Sequence, residues 1–132
     1  SPITMIIISW NCRGLGNPRT VRVLQHHCVK IHPDLVFLSE TMLENKDNTG
    51  IAHKSGFHDC FLIPQQGHSG GLCLFWKDSI DVGIISYSYN HVATSIHDGL
   101  SHPWIFVGFY GWPSNNEKWK LWDLLCSLRQ QV

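Results

Sequence analysis

From Met5 to Trp10 the chain is apolar at every position except Ser9, and such a run predicts a buried strand. The period then changes. Val21, Leu24, Cys28 and Ile31 recur at spacings of three and four, which predicts an amphipathic helix over 18–31. Asn17 and Pro18 supply its start, a capping side chain followed by proline in the first turn. Pro33 supplies its stop. Leu35 to Leu38 is a second apolar run, closed by Ser39 and Glu40. Strand, helix and strand together have the length of a parallel crossover.

Residues 43–56 are polar and read as loop with a poor helix. Short β-rich runs follow at 57–63, 71–76, 82–89, 92–97 and 104–110, separated by Gly, Asn, Asp, Ser or Pro. That punctuation predicts successive antiparallel strands, with "KDSID" and "SYSYNH" as tight connections. A last helix is expected over 115–131, with Trp119, Trp122, Leu125 and Leu128 as its apolar stripe. No repeat, low-complexity segment or linker interrupts the chain, so 1–132 reads as one domain of the α/β class.

Composition narrows the functions. With 43% hydrophobic and 15% charged residues the chain builds a core and is not a disordered tail. Its formal net charge of +0 gives no overall basic footprint for nucleic acid, so such a role has to rest on a local site. No apolar run approaches the roughly 20 residues needed to span a bilayer, and the first residues lack a signal-peptide pattern. An intracellular protein, nuclear or cytoplasmic and without a membrane, is expected. The 5 cysteines are widely spaced with no CxxC, which favours free thiols over a zinc site. The 9 histidines are scattered and suggest no metal cluster.

Gly14-Leu15-Gly16 lies between a strand and a helix, and Glu40 ends the next strand, as in a dinucleotide fingerprint. The third glycine position is Arg19, where close packing requires no side chain, and hairpins follow instead of further crossovers. A tight turn explains the glycines better. Three strand ends then stand out: Asn11, Glu40 and Tyr110. If the first two strands are parallel neighbours, Asn11 and Glu40 emerge at one sheet edge, where open α/β sheets bind ligands. Glu40 is a carboxylate suited to Mg²⁺, Asn11 a neutral amide for a phosphate or ligand, and Tyr110 a hydroxyl donor. The plain alternatives are a solvated strand end, a turn-forming Asn and a packed aromatic. Arg13, His68 and His91 are weaker candidates, Ser69-Gly70-Gly71 reads as the lead-in to a strand, and Trp112-Pro113 reads as a packed corner or a groove edge.

The segments "SWNCRGLGNPRTVRVL", "PDLVFLSET", "SGGLCLFWKD" and "WIFVGFYGWP" together resemble the endonuclease domain of plant LINE-type (non-LTR) retrotransposons, in the expected order over nearly the whole chain. That domain is part of the endonuclease/exonuclease/phosphatase superfamily, with the apurinic endonucleases. The resemblance implies an α/β sandwich of the deoxyribonuclease-like type and Mg²⁺- or Mn²⁺-dependent hydrolysis of DNA phosphodiesters. It assigns Glu40 to the metal, Asn11 to the active site and Tyr110 to phosphate contact.

The same resemblance implies a Gly-Asp-Phe-Asn motif that positions the attacking water and a later Ser-Asp-His motif that holds the phosphate. Neither occurs in these residues, and "HDG" at 97–99 has the wrong neighbours. The expectation is therefore about the first half of the two-sheet, four-layered domain, with weak or absent catalysis. The alternative is a non-catalytic remnant acting as a binding module. Self-association through an uncovered sheet is also expected.

Overall fold

The computed structural model describes residues 5–44, 50–67, 70–99 and 102–111. These fall into two compact units, divided between Ile80 and Asp81. The first contains strand β1 (Ile7–Asn11), helix α1 (Pro18–Ile31), strand β2 (Leu35–Ser39), the short helix α2 (Gly50–Lys54), and strands β3 (Asp59–Ile63) and β4 (Leu72–Trp76). Its sheet has the order β1-β2-β4-β3. The second contains strands β5 (Asp81–Tyr87), β6 (His91–His97) and β7 (Trp104–Phe109), in an antiparallel sheet of that order.

Helix α1 has the predicted bounds. Asn17 caps it with extended backbone, its Oδ1 accepting the Arg19 N–H at 3.0 Å. At the other end His32 turns left-handed, its N–H donating to Cys28 O at 2.9 Å, and Pro33 follows. The Leu24 and Cys28 face packs onto the sheet with Val36, Leu38, Cys73 and Phe75, joined by Ile8, Trp10 and Val21. Ala52 of α2 and Phe57 extend this cluster, with the Phe57 and Phe75 rings 5.8 Å apart.

β1 and β2 are parallel, with Ile7 opposite Leu35 and Asn11 opposite Ser39. Two features differ from expectation. β1 is not buried throughout: Ile8 and Trp10 face the core cluster, while Ile7, Ser9 and Asn11 are exposed. It is an edge strand among the described residues, and its alternate positions are exposed where β2 and β4 are buried along their whole length. Asn11 also lies within the strand, as its last residue.

The second difference is that "KDSID" does not close a hairpin. Both edges of β4 are occupied, by β2 and by β3, so no ladder remains for β5. β5 pairs with β6 instead. The hairpin pattern holds for β5, β6 and β7, with an irregularity between Ile84 and Ser86. The expected helix over 115–131 lies outside the described residues, as do Trp112 and Pro113. Among the described residues no helix is long and apolar enough to cross a membrane.

The packing leads to a stability test. Leu24 is 1% exposed at the centre of the α1 face, so Leu24→Ala is expected to destabilise by about 2–5 kcal/mol. Asn17→Ala removes one capping bond and should lose about 1 kcal/mol. Urea unfolding followed by far-UV circular dichroism measures both, and equal losses would contradict the packing described.

Candidate active site at the carboxyl end of the first sheet

The parallel ladder brings Asn11 and Glu40 to the same end of the sheet. Asn11 lies opposite Ser39, and Glu40 is the next residue. Past the strand ends, pairing continues as loop bonds. Cys12 N–H donates to Ser39 O at 3.0 Å, Gly14 N–H to Glu40 O at 2.7 Å, and Leu15 N–H to Thr41 O at 2.8 Å. The glycine loop therefore serves to hold the segment after β2, and its backbone donors point to carbonyls of this chain.

Strain concentrates here. Arg13, Glu40 and Met42 all have positive φ, at 52°, 52° and 56°. Non-glycine residues in this region each cost about 1–3 kcal/mol and persist only where surrounding contacts over-determine them. The Arg13 guanidinium reaches the Glu40 carboxylate, Nε to Oε2 at 4.0 Å, with side-chain exposures of 82% and 23%. So open a pair adds little stability, though it leaves a cation beside the carboxylate.

The Cys12 thiol is buried and donates to Ser39 O at 3.4 Å. Burial pushes this thiol up to about 11, and the nearby Glu40 charge adds to the effect against opposing backbone bonds. At neutral pH it is a protonated donor, not a nucleophile.

Tyr110 belongs to the second unit, directly after β7. Its N–H donates to Asn90 O at 2.8 Å, and its own carbonyl accepts the Asn90 amide at 3.3 Å. Asn90 lies in the turn between β5 and β6, immediately before His91, the first residue of β6. Ser86 Oγ lies 3.1 Å from His91 Nε2 and Ser88 Oγ 2.6 Å from Nδ1, so each ring nitrogen faces a hydroxyl. Burial holds the His91 pKa below its usual value. Sequence reasoning named Tyr110 and His91 but missed Asn90, Ser86 and Ser88; the signal available was the polar alternation of "SYSYNH". From Asp81 to Gly111 the sequence has neither Lys nor Arg, so hydroxyls, amides and imidazoles are the donors there.

His68 lies outside the described residues. Among those described, no group of three or more His, Cys, Asp or Glu side chains forms a metal cage. Glu40 and Asn11 offer oxygen donors only, which suits a hard cation that keeps much of its water shell.

Solved structures with this fold are found. An AP endonuclease from Archaeoglobus fulgidus matches with TM-score 0.61 and 18% identity, over 98% of this chain and 52% of that one. TDP2 from Caenorhabditis elegans matches with TM-score 0.67 and 14% identity, over 97% of this chain and 43% of that one. The AP endonuclease LMAP from Leishmania major matches with TM-score 0.61 and 16% identity, over 88% and 43%. The chain thus spans about half the length of these structures. A search of curated proteins gives no match.

The fold is the α/β sandwich type of the deoxyribonuclease-like proteins, covered in part. By sequence, the chain belongs to the Endonuclease/Exonuclease/phosphatase family, which it matches over residues 8–131.

Two expected outcomes test this local physics. Glu40→Gly removes the strain and Glu40→Ala keeps it, so the glycine variant should be more stable than the alanine variant by about 1 kcal/mol. Equal unfolding midpoints would mean that the positive φ is not held in solution.

His91 gives a pH dependence. Above its ordinary value of 6.5 it is neutral in folded and unfolded chains alike. As pH falls from there through the lower folded value, the unfolded chain binds the proton first, so stability drops. Thermal melts are expected to fall more steeply with acidification in the native chain than in His91→Gln, and parallel curves would remove His91 as the cause.

Proposed function

We propose that this chain carries the metal-binding part of a divalent-metal-dependent phosphodiesterase site, descended from the DNA-nicking endonuclease of a plant LINE-type retroelement. Glu40 is the carboxylate that holds Mg²⁺ or Mn²⁺, Asn11 presents its amide to the same ligand, and Tyr110 donates its hydroxyl to a DNA phosphate. The single observation that carries the reading is the register of β1 and β2, which sets Asn11 beside the Ser39-Glu40 step. The strain at Glu40 and the oxygen-only donor set support it.

Each residue has a definable task. Glu40 directly follows the last residue of β2, with left-handed backbone at that strand end. Arg13 lowers the local negative potential that a phosphate would meet. Asn11 orients by hydrogen bonding without adding charge. A bound divalent cation supplies polarisation of a phosphoryl oxygen and stabilisation of the leaving oxygen.

The Asp-Phe-Asn motif, to which the resemblance assigns alignment and activation of water, does not occur among these residues. A non-catalytic DNA-binding role is the reading favoured for the isolated polypeptide.

Both parts are tested together. A short DNA duplex should bind more tightly in Mg²⁺ than in EDTA, and Glu40→Gln should abolish that difference. Supercoiled plasmid incubated with the chain and Mg²⁺ should stay supercoiled, because positioned acid–base groups alone contribute about 10²–10⁴ in rate. Mg²⁺-independent DNA binding would overturn the metal assignment. Nicking that disappears in Glu40→Ala would overturn the non-catalytic reading.

A further inference from the structure

We propose that Thr41, Gly70 and Gly71 are positioning residues for the Glu40 carboxylate, acting as a backbone clamp on the side opposite the glycine loop. The functional half of this inference rests on the assignment of Glu40 given above. Glu40 and Met42 adopt left-handed backbone that neither side chain favours, so the conformation is imposed from outside.

One side of the imposition is the Gly14 and Leu15 donors already described. The other comes from the segment leading into β4. Thr41 N–H donates to Gly71 O at 3.2 Å, and Met42 N–H donates to Gly70 O at 2.9 Å. Farther on, Leu43 O accepts the Gln65 N–H at 2.8 Å. The backbone from Glu40 to Leu43 is therefore bonded on both sides.

Gly71 disfavours any side chain. A Cβ built there would lie 2.5 Å from Thr41 Oγ1 and 3.1 Å from Met42 N, and its φ is 97°. A methyl group at this point drives against the segment that carries Glu40. Thr41 is completely buried, yet its Oγ1 makes no well-formed hydrogen bond. The neighbouring Cys73 thiol is a weak partner; burial pushes its pKa strongly up, and the Thr41 hydroxyl acts the other way. An unsatisfied buried hydroxyl gains nothing for stability, so the contribution of Thr41 is its branched shape, wedged beside a residue with no side chain. None of the three touches the ligand site itself. Their effect passes through the φ of Glu40.

The test uses the full chain and two readouts. Backbone ¹³Cα and ¹³Cβ shifts of Glu40 report its φ, and Mn²⁺ titration followed by electron paramagnetic resonance reports affinity. Gly71→Ala is expected to move the Glu40 shifts out of the left-handed range and to weaken Mn²⁺ binding about tenfold or more. Thr41→Val keeps the branched shape and should leave both readouts as in the native chain. Thr41→Ala/Gly71→Ala lacks the 2.5 Å collision and should recover part of the native shifts, including when Gly71→Ala alone does not fold.

Native Glu40 shifts in a folded Gly71→Ala would overturn the proposal, as would displaced shifts in Thr41→Val. If neither alanine-bearing variant folds, displaced shifts in Thr41→Val overturn it and native ones support it. Shifts that move without any change in Mn²⁺ affinity would support the clamp and remove Glu40 as the metal ligand. A native chain that binds no Mn²⁺ would do the same to that assignment, and the shifts alone would then decide the clamp.

Discussion

The ladder between β1 and β2 is the constraint on which the first unit depends. A parallel pair cannot be closed by a tight turn, so the chain needs α1 to return. That helix then supplies the apolar face covering Val36 and Leu38. The same pairing fixes which residues leave the sheet together. A slip by one residue would exchange the core and solvent faces of β1, exposing Ile8 and Trp10 in place of Ile7 and Ser9. Core packing thus protects the register, and the register protects the juxtaposition of Asn11 with the Ser39-Glu40 step.

Much of this was legible in the sequence because the signals were local and physical. The Asn-Pro start and the 3.6-residue period located α1, and the crossover length indicated parallel strands. Glu40 and Asn11 were visible as polar residues ending apolar runs. The left-handed backbone at Glu40 and Met42 was not visible, because neither residue type marks a turn. It is set by bonds from segments distant in sequence, and only the folded chain brings those together. Likewise Gly70 and Gly71 read as the lead-in to a strand, but a glycine does not reveal which neighbour needs its missing side chain. The separation of β4 from β5 was hidden for a related reason: local alternation shows a strand and not its partner.

The two units hold their candidate residues by different physical means. Glu40 is fixed by backbone bonds on both flanks and by strained dihedrals, an arrangement that trades stability for orientation. Tyr110 is fixed by one asparagine through its main-chain and side-chain groups, next to an imidazole held between two serines. The first arrangement tolerates little change in backbone. The second is a polar network whose members depend on one another and which gains its strength from partial burial.

The absence of Lys and Arg between Asp81 and Gly111 has a consequence for ionic strength. A phosphate contacted by this stretch would meet neutral hydroxyl, amide and imidazole donors. Such contacts displace no condensed counterions, and added salt weakens them little. The lysines and arginines elsewhere in the sequence would then carry the salt sensitivity in any duplex engagement. Raising ionic strength would therefore weaken phosphate contacts made through lysine and arginine while sparing those made through the Asp81–Gly111 stretch, two kinds of contact with separate responses to the solvent.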